Sequence, residues 1–356
     1  MSSTELTRYG VDREQLAALL DGEPSYRVDQ VWAGLYEQLA APNELTNLPK
    51  GLRHDLDELL PLGLDIVTES TSDGGETIKW LWALPDGTRI ETVLMHYDDR
   101  STVCVSSQAG CAMGCTFCAT GQAGFDRQLT AGEILEQVVR AARRARDDRR
   151  RLSNVVFMGM GEPLANYEPT WQAVERIHAD LGLSARHLTV STVGIVPGIR
   201  RLATEALPVN LAVSLHAADD ASRDELVPIN KRYPLSTLMD ACAAYLQAKG
   251  RRLSFEWALI DGVNDRDRDA DLLVERSRAL PLPAHVNLIP LNPTPGYGVQ
   301  GSPKQRVRAF RDRLRAGGVN ATIRQTRGTE IDAACGQLRA THSGTEPVRI
   351  RPRDRS

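Results

Sequence analysis

The stretch CVSSQAGCAMGCTFCATG, residues 104–121, has the highest density of cysteines in this chain and indicates its chemistry. It holds four of the six cysteines, and Cys111, Cys115 and Cys118 form a C-x3-C-x2-C loop. Where thiols stay reduced, clustered cysteines indicate metal or redox chemistry rather than structural disulfides. Three thiolates suit an iron–sulfur cubane that leaves its fourth iron open. The alternative is a structural zinc site in which Cys104 supplies a fourth thiolate.

The composition is that of an ordinary globular protein. The chain has 356 residues, of which 42% are hydrophobic and 25% are charged. No apolar run reaches membrane-spanning length and no signal peptide is evident, so we expect a cytoplasmic protein, with a monomer as the default. A net charge of −3 gives no global sign of nucleic-acid binding, so an RNA site has to be a local patch. Residues 140–151 (RAARRARDDRRR) are one candidate, although these arginines could instead complement a helix dipole.

Strand-like apolar runs alternate with helical segments over most of the chain. A spacing of roughly 25 to 40 residues predicts an α/β fold with a parallel sheet built from βαβ units. One helix is expected to begin at Thr130, because Thr130 and Glu133 have the spacing of a capping box. The predicted strands are residues 101–107, 154–161, 187–194, 210–217, 253–260, 285–292 and 320–326.

The region before these strands has a different pattern. It begins with three amphipathic helical segments and continues with strand-like segments separated by the turn signals SDGGE and PDGT. The expected organisation is a helical accessory domain for RNA binding (1–62), a β-hairpin extension (63–100), a barrel (101–342) and a polar tail (343–356).

The unusual residues of the sequence follow the predicted parallel strands. The cysteine loop comes after the first strand, GMGEP after the second, STVG after the third and SLHA after the fourth, while PLNP and RGTEIDAACGQ follow later ones. Ligands of parallel α/β sheets bind at the carboxyl ends of the strands. The sequence therefore predicts one site at this edge of the sheet.

The cysteine loop resembles the signature of the radical S-adenosylmethionine (SAM) superfamily, with Phe117 before the last cysteine. From residue 15 to 340, the motifs CVSSQAGCAMGCTFCATG, MGMGEPLANY, STVGIVPGI, AVSLHA, LIPLNP and RGTEIDAACGQL are similar to those of the RlmN family. The resemblance implies a partial (β/α)6-type radical SAM barrel. It also implies one [4Fe–4S] cluster on Cys111, Cys115 and Cys118, whose open iron binds SAM.

The resemblance further implies methylation of carbon 2 of an adenine in the peptidyl-transferase centre of 23S ribosomal RNA, and in the anticodon loop of some transfer RNAs. Carbon 2 is electron-poor, so a radical has to add to it. In the implied mechanism one SAM methylates Cys335, and a second SAM is cleaved to a radical that abstracts hydrogen from that methyl group. Cys104 then releases the product by forming a disulfide with Cys335. Glu91 is the implied proton acceptor.

Two further expectations follow from this mechanism. An external electron donor such as flavodoxin or ferredoxin is needed. Cys104 and Cys335 have to be close, which the neighbouring first and last strands of a closing barrel would allow. The alternatives without a catalytic role are a buried structural thiol for Cys335 and a solvent-facing strand residue for Glu91. Cys242 has no implied role and is expected in the core.

The remaining implied contacts concern SAM and RNA. A glycine permits close backbone approach, a carboxylate pairs with the methionine ammonium, and small polar groups bind ribose or carboxylate. His216 could equally be a structural histidine. The implied SAM contacts are Gly161, Glu162, Ser191, Ser214, Leu215, His216 and Asn292, and the candidate RNA contacts are Arg324, Arg327 and Tyr297.

Two rival functions remain open at this point. A Cfr-type enzyme would methylate carbon 8 of the same adenine with similar cysteines. A zinc-stapled RNA-binding module would use the cysteines structurally and have no catalytic activity.

Overall fold

The computed structural model describes residues 6–291 and 300–324, and its centre is a mixed sheet of ten strands. A separate small hairpin is formed by β5 and β6. In chain order the strands are β1 (Asp65–Ser72), β2 (Thr77–Ala83), β3 (Arg89–His96), β4 (Ser101–Cys104), β5 (Gln108–Gly110), β6 (Phe125–Gln128), β7 (Leu152–Phe157), β8 (Leu188–Thr192), β9 (Asn210–Ser214), β10 (Leu253–Leu259), β11 (His285–Pro290) and β12 (Ala321–Ile323).

The helices precede the sheet or connect its parallel strands. Within the described residues, none of them is long and apolar enough to cross a membrane. They are α1 (Arg13–Leu19), α2 (Tyr26–Tyr36), α3 (Lys50–Leu59), α4 (Ala119–Gln122), α5 (Ala131–Asp147), α6 (Tyr167–Ala179), α7 (Val196–Thr204), α8 (Asp220–Leu226), α9 (Leu235–Lys249), α10 (Asp267–Arg278) and α11 (Lys304–Ala316).

The seven predicted parallel strands are all present. They pair in the order β4-β7-β8-β9-β10-β11-β12, and each neighbouring pair is parallel. The α/β prediction is confirmed, and the part of the chain that the structure describes contains all seven of these parallel strands. Connecting helices cover the sheet, as parallel strands require.

The expectation that the first and last parallel strands are neighbours is wrong for the described residues. One edge of β4 pairs with β7, and its other edge pairs antiparallel with β3. Both edges of β4 are therefore already hydrogen-bonded, and β12 pairs within residues 6–291 and 300–324 with β11 alone. The sheet is open there, and β1–β3 continue it instead of closing it.

The antiparallel extension belongs to the same sheet as the parallel strands. Strand β1 pairs with β2, β2 with β3, and β3 with β4, so the hairpins predicted from SDGGE and PDGT are confirmed. The first of these turns contains Gly74 at φ 67° and Gly75 at φ 94°, a backbone region that glycine enters without strain.

Helix α5 forms as its sequence predicts. The Thr130 side chain accepts from the Glu133 backbone N–H at 3.2 Å, and the Glu133 carboxylate accepts from the Thr130 N–H at 2.9 Å. This capping box satisfies two N–H groups that the first turn leaves without helical partners. One face of this helix is an apolar stripe that is fully buried: Ile134, Leu135, Val138 and Val139.

The arginines near the end of α5 form ion pairs within the protein. Arg143 pairs with Glu44 at 2.5 Å, Arg144 with Glu69 at 2.6 Å, and Arg150 with Glu76 at 2.6 Å. These three acidic residues lie in the helical region and the β-extension. This arginine patch, which the sequence suggested as a local RNA site, thus joins the N-terminal regions to α5. Neither the RNA-site prediction nor the helix-dipole alternative included these ion pairs.

Candidate active site

The carboxyl ends of the parallel strands surround a cavity of about 190 Å³. This is the edge of the sheet at which the sequence predicts a site. The lining residues come from the cysteine loop and from the segments that end β7, β8, β9 and β10. Among them are Cys111, Cys115, Cys118, Gly161, Glu162, Ser191, Ser214 and His216.

The small β5–β6 hairpin holds the cysteine loop at its base. Strand β5 ends just before Cys111, whose backbone N–H donates to the Gly124 carbonyl at 2.8 Å. Gly110 has φ 80°, and a Cβ atom there would lie 2.1 Å from the Gly124 oxygen. Only glycine fits this crossing, so the hairpin that closes the loop depends on it.

Burial disfavours the charged form of the thiols. It raises the pKa of Cys111 to about 12 and raises the pKa of Cys115 strongly, and the neighbouring cysteines add to both effects. The Arg223 guanidinium offsets part of the rise at Cys115. Thiolates in such a cavity need added positive charge, which a bound metal supplies.

Cys111, Cys115 and Cys118 all line the cavity and together supply three thiolates to it. Among residues 6–291 and 300–324, no three His, Cys, Asp or Glu side chains form a group that could hold one metal ion. A cubane takes each thiolate on a different iron, so its three sulfurs need not meet at one point. Cys104 packs instead with Val93 and Met95, in an apolar cluster separate from that of Cys115.

Glu162 is buried in the cavity wall with its carboxylate hydrogen-bonded. One oxygen accepts from the Val193 N–H at 2.7 Å and the other from the Leu164 N–H at 3.1 Å. Burial raises the pKa of Glu162 to about 7 against these hydrogen bonds. Gly161 has φ 103°, and a Cβ atom there would lie 2.5 Å from the Gln108 side chain. Glu162 thus contributes a carboxylate to the cavity wall, and Gly161 allows the backbone to pack closely there.

Strands β8 and β9 bring three of the predicted SAM contacts to the cavity. Ser191 and Ser214 line it at the ends of these strands, together with His216. Leu215, between Ser214 and His216, is fully buried, and its carbonyl accepts from the Arg223 Nε at 3.0 Å.

His216 is a buried, neutral imidazole in an unusual backbone conformation. Its φ is 56°, a region that residues other than glycine seldom adopt, and such strain collects at functional sites. The Ala258 N–H donates to Nδ1 at 3.0 Å, and the ring meets Phe117 edge-on at 4.5 Å. Burial lowers the pKa of His216 to about 3. The ring therefore joins the cysteine loop to β10.

Arg223, on α8, is a residue of this region that sequence reasoning missed. Its side chain is fully buried and donates to the carbonyls of Val193 at 2.6 Å and Leu215 at 3.0 Å. A third bond reaches the Asn230 Oδ1 at 2.9 Å. Burial lowers its pKa to about 10, which leaves it charged at neutral pH. It ties the ends of β8 and β9 together beside the cysteines.

Glu256 and Arg324 also line the cavity. Glu256 is buried, and one carboxylate oxygen accepts from Ser254 at 3.0 Å and from Asn287 at 2.9 Å. A signal for it was present, because a charged residue interrupts the apolar run LSFEWALI. Arg324, predicted as an RNA contact, lies in the cavity wall near the cysteines.

Glu91 and Cys104 are buried on neighbouring strands outside the cavity lining. Glu91 is 2% exposed and forms an ion pair with the fully buried Lys79, whose Nζ lies 3.0 Å from Oε2. The solvent-facing alternative for Glu91 is therefore wrong. Cys242 is fully buried in the main core, as expected.

Several predicted site residues lie outside the described residues, and their roles stay predictions. They are Asn292, Tyr297, Arg327 and Cys335.

Comparison with known proteins defines the class first. A model of the radical SAM superfamily matches residues 105–273. The crystal structure of a radical SAM methyltransferase from Sphaerobacter thermophilus is similar, with a TM-score of 0.88 and 52% identity, over 96% of this chain and 99% of that one. The fold and the cysteine loop are thus those of a radical SAM protein.

The family follows from two bacterial relatives, each named probable dual-specificity RNA methyltransferase RlmN. The protein of Frankia casuarinae is 53% identical, over 98% of this chain and 85% of its own length. That of Mycolicibacterium paratuberculosis is 54% identical, over 90% of each chain. The chain belongs to the RlmN family of radical SAM enzymes, and the resemblance read from its motifs is confirmed.

The buried His216 predicts an acid-dependent loss of stability. Its pKa is lowered in the folded protein, so the unfolded chain binds one more proton as the pH falls below about 6.5. We expect this to cost roughly 1 kcal/mol of unfolding free energy per pH unit. His216→Asn keeps a hydrogen-bond acceptor and tolerates positive φ. Denaturant unfolding at several pH values should give the variant a shallower pH slope, whereas equal slopes would contradict the prediction.

Proposed function

We propose that this protein methylates carbon 2 of an adenine in the peptidyl-transferase centre of 23S ribosomal RNA. We further propose that it modifies adenine in the anticodon loop of some transfer RNAs. Membership in the RlmN family supports the proposal, since its relatives are named dual-specificity RNA methyltransferases. The observation that carries it is the convergence of three cysteines, Glu162 and the serines of β8 and β9 on one cavity.

The cluster is assigned to the cysteine loop. Cys111, Cys115 and Cys118 would hold one [4Fe–4S] cluster per chain, and its positive charge would stabilise thiolates that burial disfavours. When bound, the cluster supplies the electron that cleaves SAM to a carbon radical. An external donor of the flavodoxin or ferredoxin type would reduce the cluster.

The cavity wall is assigned to SAM. The Glu162 carboxylate would pair with the methionine ammonium, and Gly161 would leave room for the methionine backbone. Ser191, Ser214 and Asn292 would bind ribose or carboxylate groups, and the buried His216 and Leu215 would shape the wall between them. Two SAM molecules are used per turnover.

The thiols outside the cluster are assigned to methyl transfer. Cys335 would receive the methyl group and carry its carbon to the adenine, because carbon 2 is too electron-poor to attack a methyl donor itself. Cys104 would release the methylated base by attacking the sulfur of Cys335. A disulfide forms between them, the bond from that sulfur to the carbon attached to the adenine breaks, and this carbon keeps the electron pair and takes up a proton to become the methyl group. Glu91 would accept the proton that carbon 2 loses.

The RNA surface is proposed to extend beyond the cavity. Residues 1–62 would act as the helical accessory domain for RNA, next to the extension (63–100), the barrel (101–342) and the polar tail (343–356). A target adenine in folded RNA has to leave its stack to reach the cavity. The enzyme would work in the cytoplasm as a monomer.

The decisive experiment uses anaerobically reconstituted protein with unmodified 23S RNA, SAM and a reductant. Nucleoside mass spectrometry should find 2-methyladenosine in the RNA and 5′-deoxyadenosine in the supernatant. A methyl group at carbon 8 would favour the Cfr-type alternative, and RNA without any methyl group would overturn the proposal.

Metal analysis tests the cluster and the zinc alternative. The anaerobically purified protein should contain about four iron and four sulfide per chain, as a cubane requires. Cys115→Ala should lose most of both. Cys242→Ala is the matched control, because it removes a buried cysteine that does not line the cavity, and it should retain iron. Stoichiometric zinc in the wild-type protein would support the non-catalytic module instead.

Replacement of Cys104 tests its role in product release. Cys104→Ala should still attach its methyl-bearing cysteine to the RNA, so denaturing gels should show RNA cross-linked to the protein. Free methylated RNA should fall at least about a hundredfold, since the releasing thiol is absent. Normal release of methylated RNA by this variant would refute the role.

A further inference from the structure

The buried ion pair of the antiparallel extension is the feature that the proposed function leaves unexplained. Lys79 on β2 and Glu91 on β3 are 0% and 2% exposed, and their charged atoms lie 3.0 Å apart. Removing two charges from water is costly, and a well-packed apolar pair often stabilises a fold equally well. The pair therefore needs a reason other than stability.

The sheet register locates this pair relative to Cys104. Lys79 lies opposite Val93, and Val93 lies opposite Cys104, so these three side chains share one face of the sheet. Glu91 is two positions before Val93 and points the same way. As a diagonal neighbour across the strands, it lies about 7–8 Å from Cys104 between Cα atoms.

The opposite face of the extension is the one that the helices cover. Thr92, next to Glu91, points away from it, and its hydroxyl lies 2.8 Å from the Gln137 side chain of α5. The indole of Trp82 donates to the same hydroxyl at 2.9 Å. Lys79 and Glu91 thus lie on the face turned away from α5, together with Cys104.

That face leads to the cysteine cavity. Cys104 lies opposite Val156 of β7, and the apolar cluster around Cys104 includes Val156 and Met158. Met158 in turn lines the cavity with Cys111, Cys115 and Cys118. A continuous surface therefore connects the ion pair, Cys104 and the cavity.

We propose that Lys79 is a positioning residue that fixes the Glu91 carboxylate on the Cys104 face of the sheet, ready to accept the proton from adenine carbon 2. This inference rests on the proposed function, in which Glu91 is the proton acceptor. In that step the C–H bond at carbon 2 breaks, its electron pair stays with the adenine, and an O–H bond forms on Glu91. A lysine ammonium has no lone pair to accept a proton, so Lys79 acts through Glu91.

A backbone contact fixes the same glutamate from the other side. The Ser106 hydroxyl donates to the Glu91 carbonyl at 2.6 Å and accepts from the Met160 N–H at 3.0 Å. The main chain of Glu91 is therefore tied to the segments that follow β4 and β7. The ion pair with Lys79 supplies a restraint on the side chain of Glu91, which has three rotatable bonds.

The test compares Lys79→Met, which keeps a long stem without charge, with Lys79→Arg, which keeps the cation. Both full-length proteins are reconstituted anaerobically and supplied with SAM, reductant and 23S RNA. Lys79→Met should still methylate Cys335 and accumulate protein–RNA adduct, while 2-methyladenosine falls at least tenfold. Lys79→Arg should restore most of the product. Arg201→Met, which breaks an exposed ion pair with Glu168, is the control and should behave as wild type.

A double variant separates positioning from a structural role. If Lys79 acts through Glu91, then Lys79→Met combined with Glu91→Gln should form product as slowly as Glu91→Gln alone. The double variant removes both charges of this pair, so it stays informative if Lys79→Met alone folds poorly. If the rate of product formation in the double variant falls by the product of the two single-variant factors, the inference is overturned.

The remaining outcomes are equally distinct. Two results would overturn the positioning role and leave the proposed function intact. One is normal product formation by Lys79→Met. The other is loss of both Cys335 methylation and product in Lys79→Met and in the double variant. A wild-type protein that makes no 2-methyladenosine would instead overturn the proposed function, and the inference with it.

Discussion

Burial of the cysteine loop disfavours the charged form of its thiols, and the surrounding structure has to accommodate this cost. Cys111 and Cys115 sit in a cavity that raises their pKa values, and a fully buried arginine lies beside them. A site of this kind stays intact only with rigid walls, because a loose loop would expose the sulfurs to water. The β5–β6 hairpin, the close approach at Gly110 and the bonds of Arg223 provide that rigidity.

The parallel sheet determines what can surround these thiols. Because all seven strands run the same way, the residues that follow β7, β8 and β9 meet at one edge, although they are distant in sequence. This edge combines a hydrogen-bonded carboxylate, two serines and a neutral imidazole around the cysteine loop. The extension adds its own residues to the same sheet by pairing β3 with β4.

The sequence was informative where structure follows from local pattern. The seven parallel strands and the capping box of Thr130 and Glu133 could be predicted from periodicity or spacing. Cys242 was expected in the core because the resemblance gave it no role. The partner of Glu91 could not, because it depends on the register of two strands and on which face is covered. Arg223 was missed for a similar reason, since its carbonyl partners come from strands that only the fold brings together. The arginines of α5 suggested a surface patch, but their acidic partners lie about 75 to 100 positions earlier in the chain.

The continuity of β1–β3 with the parallel strands has a consequence for how this enzyme can be divided. A catalytic core that began at the first parallel strand would expose an unpaired edge of β4 and omit both members of the buried ion pair. A module that keeps this sheet and the ion pair intact therefore has to begin before β1. The extension is continuous with the parallel sheet, so recombination near residue 101 would separate strands that pair with each other.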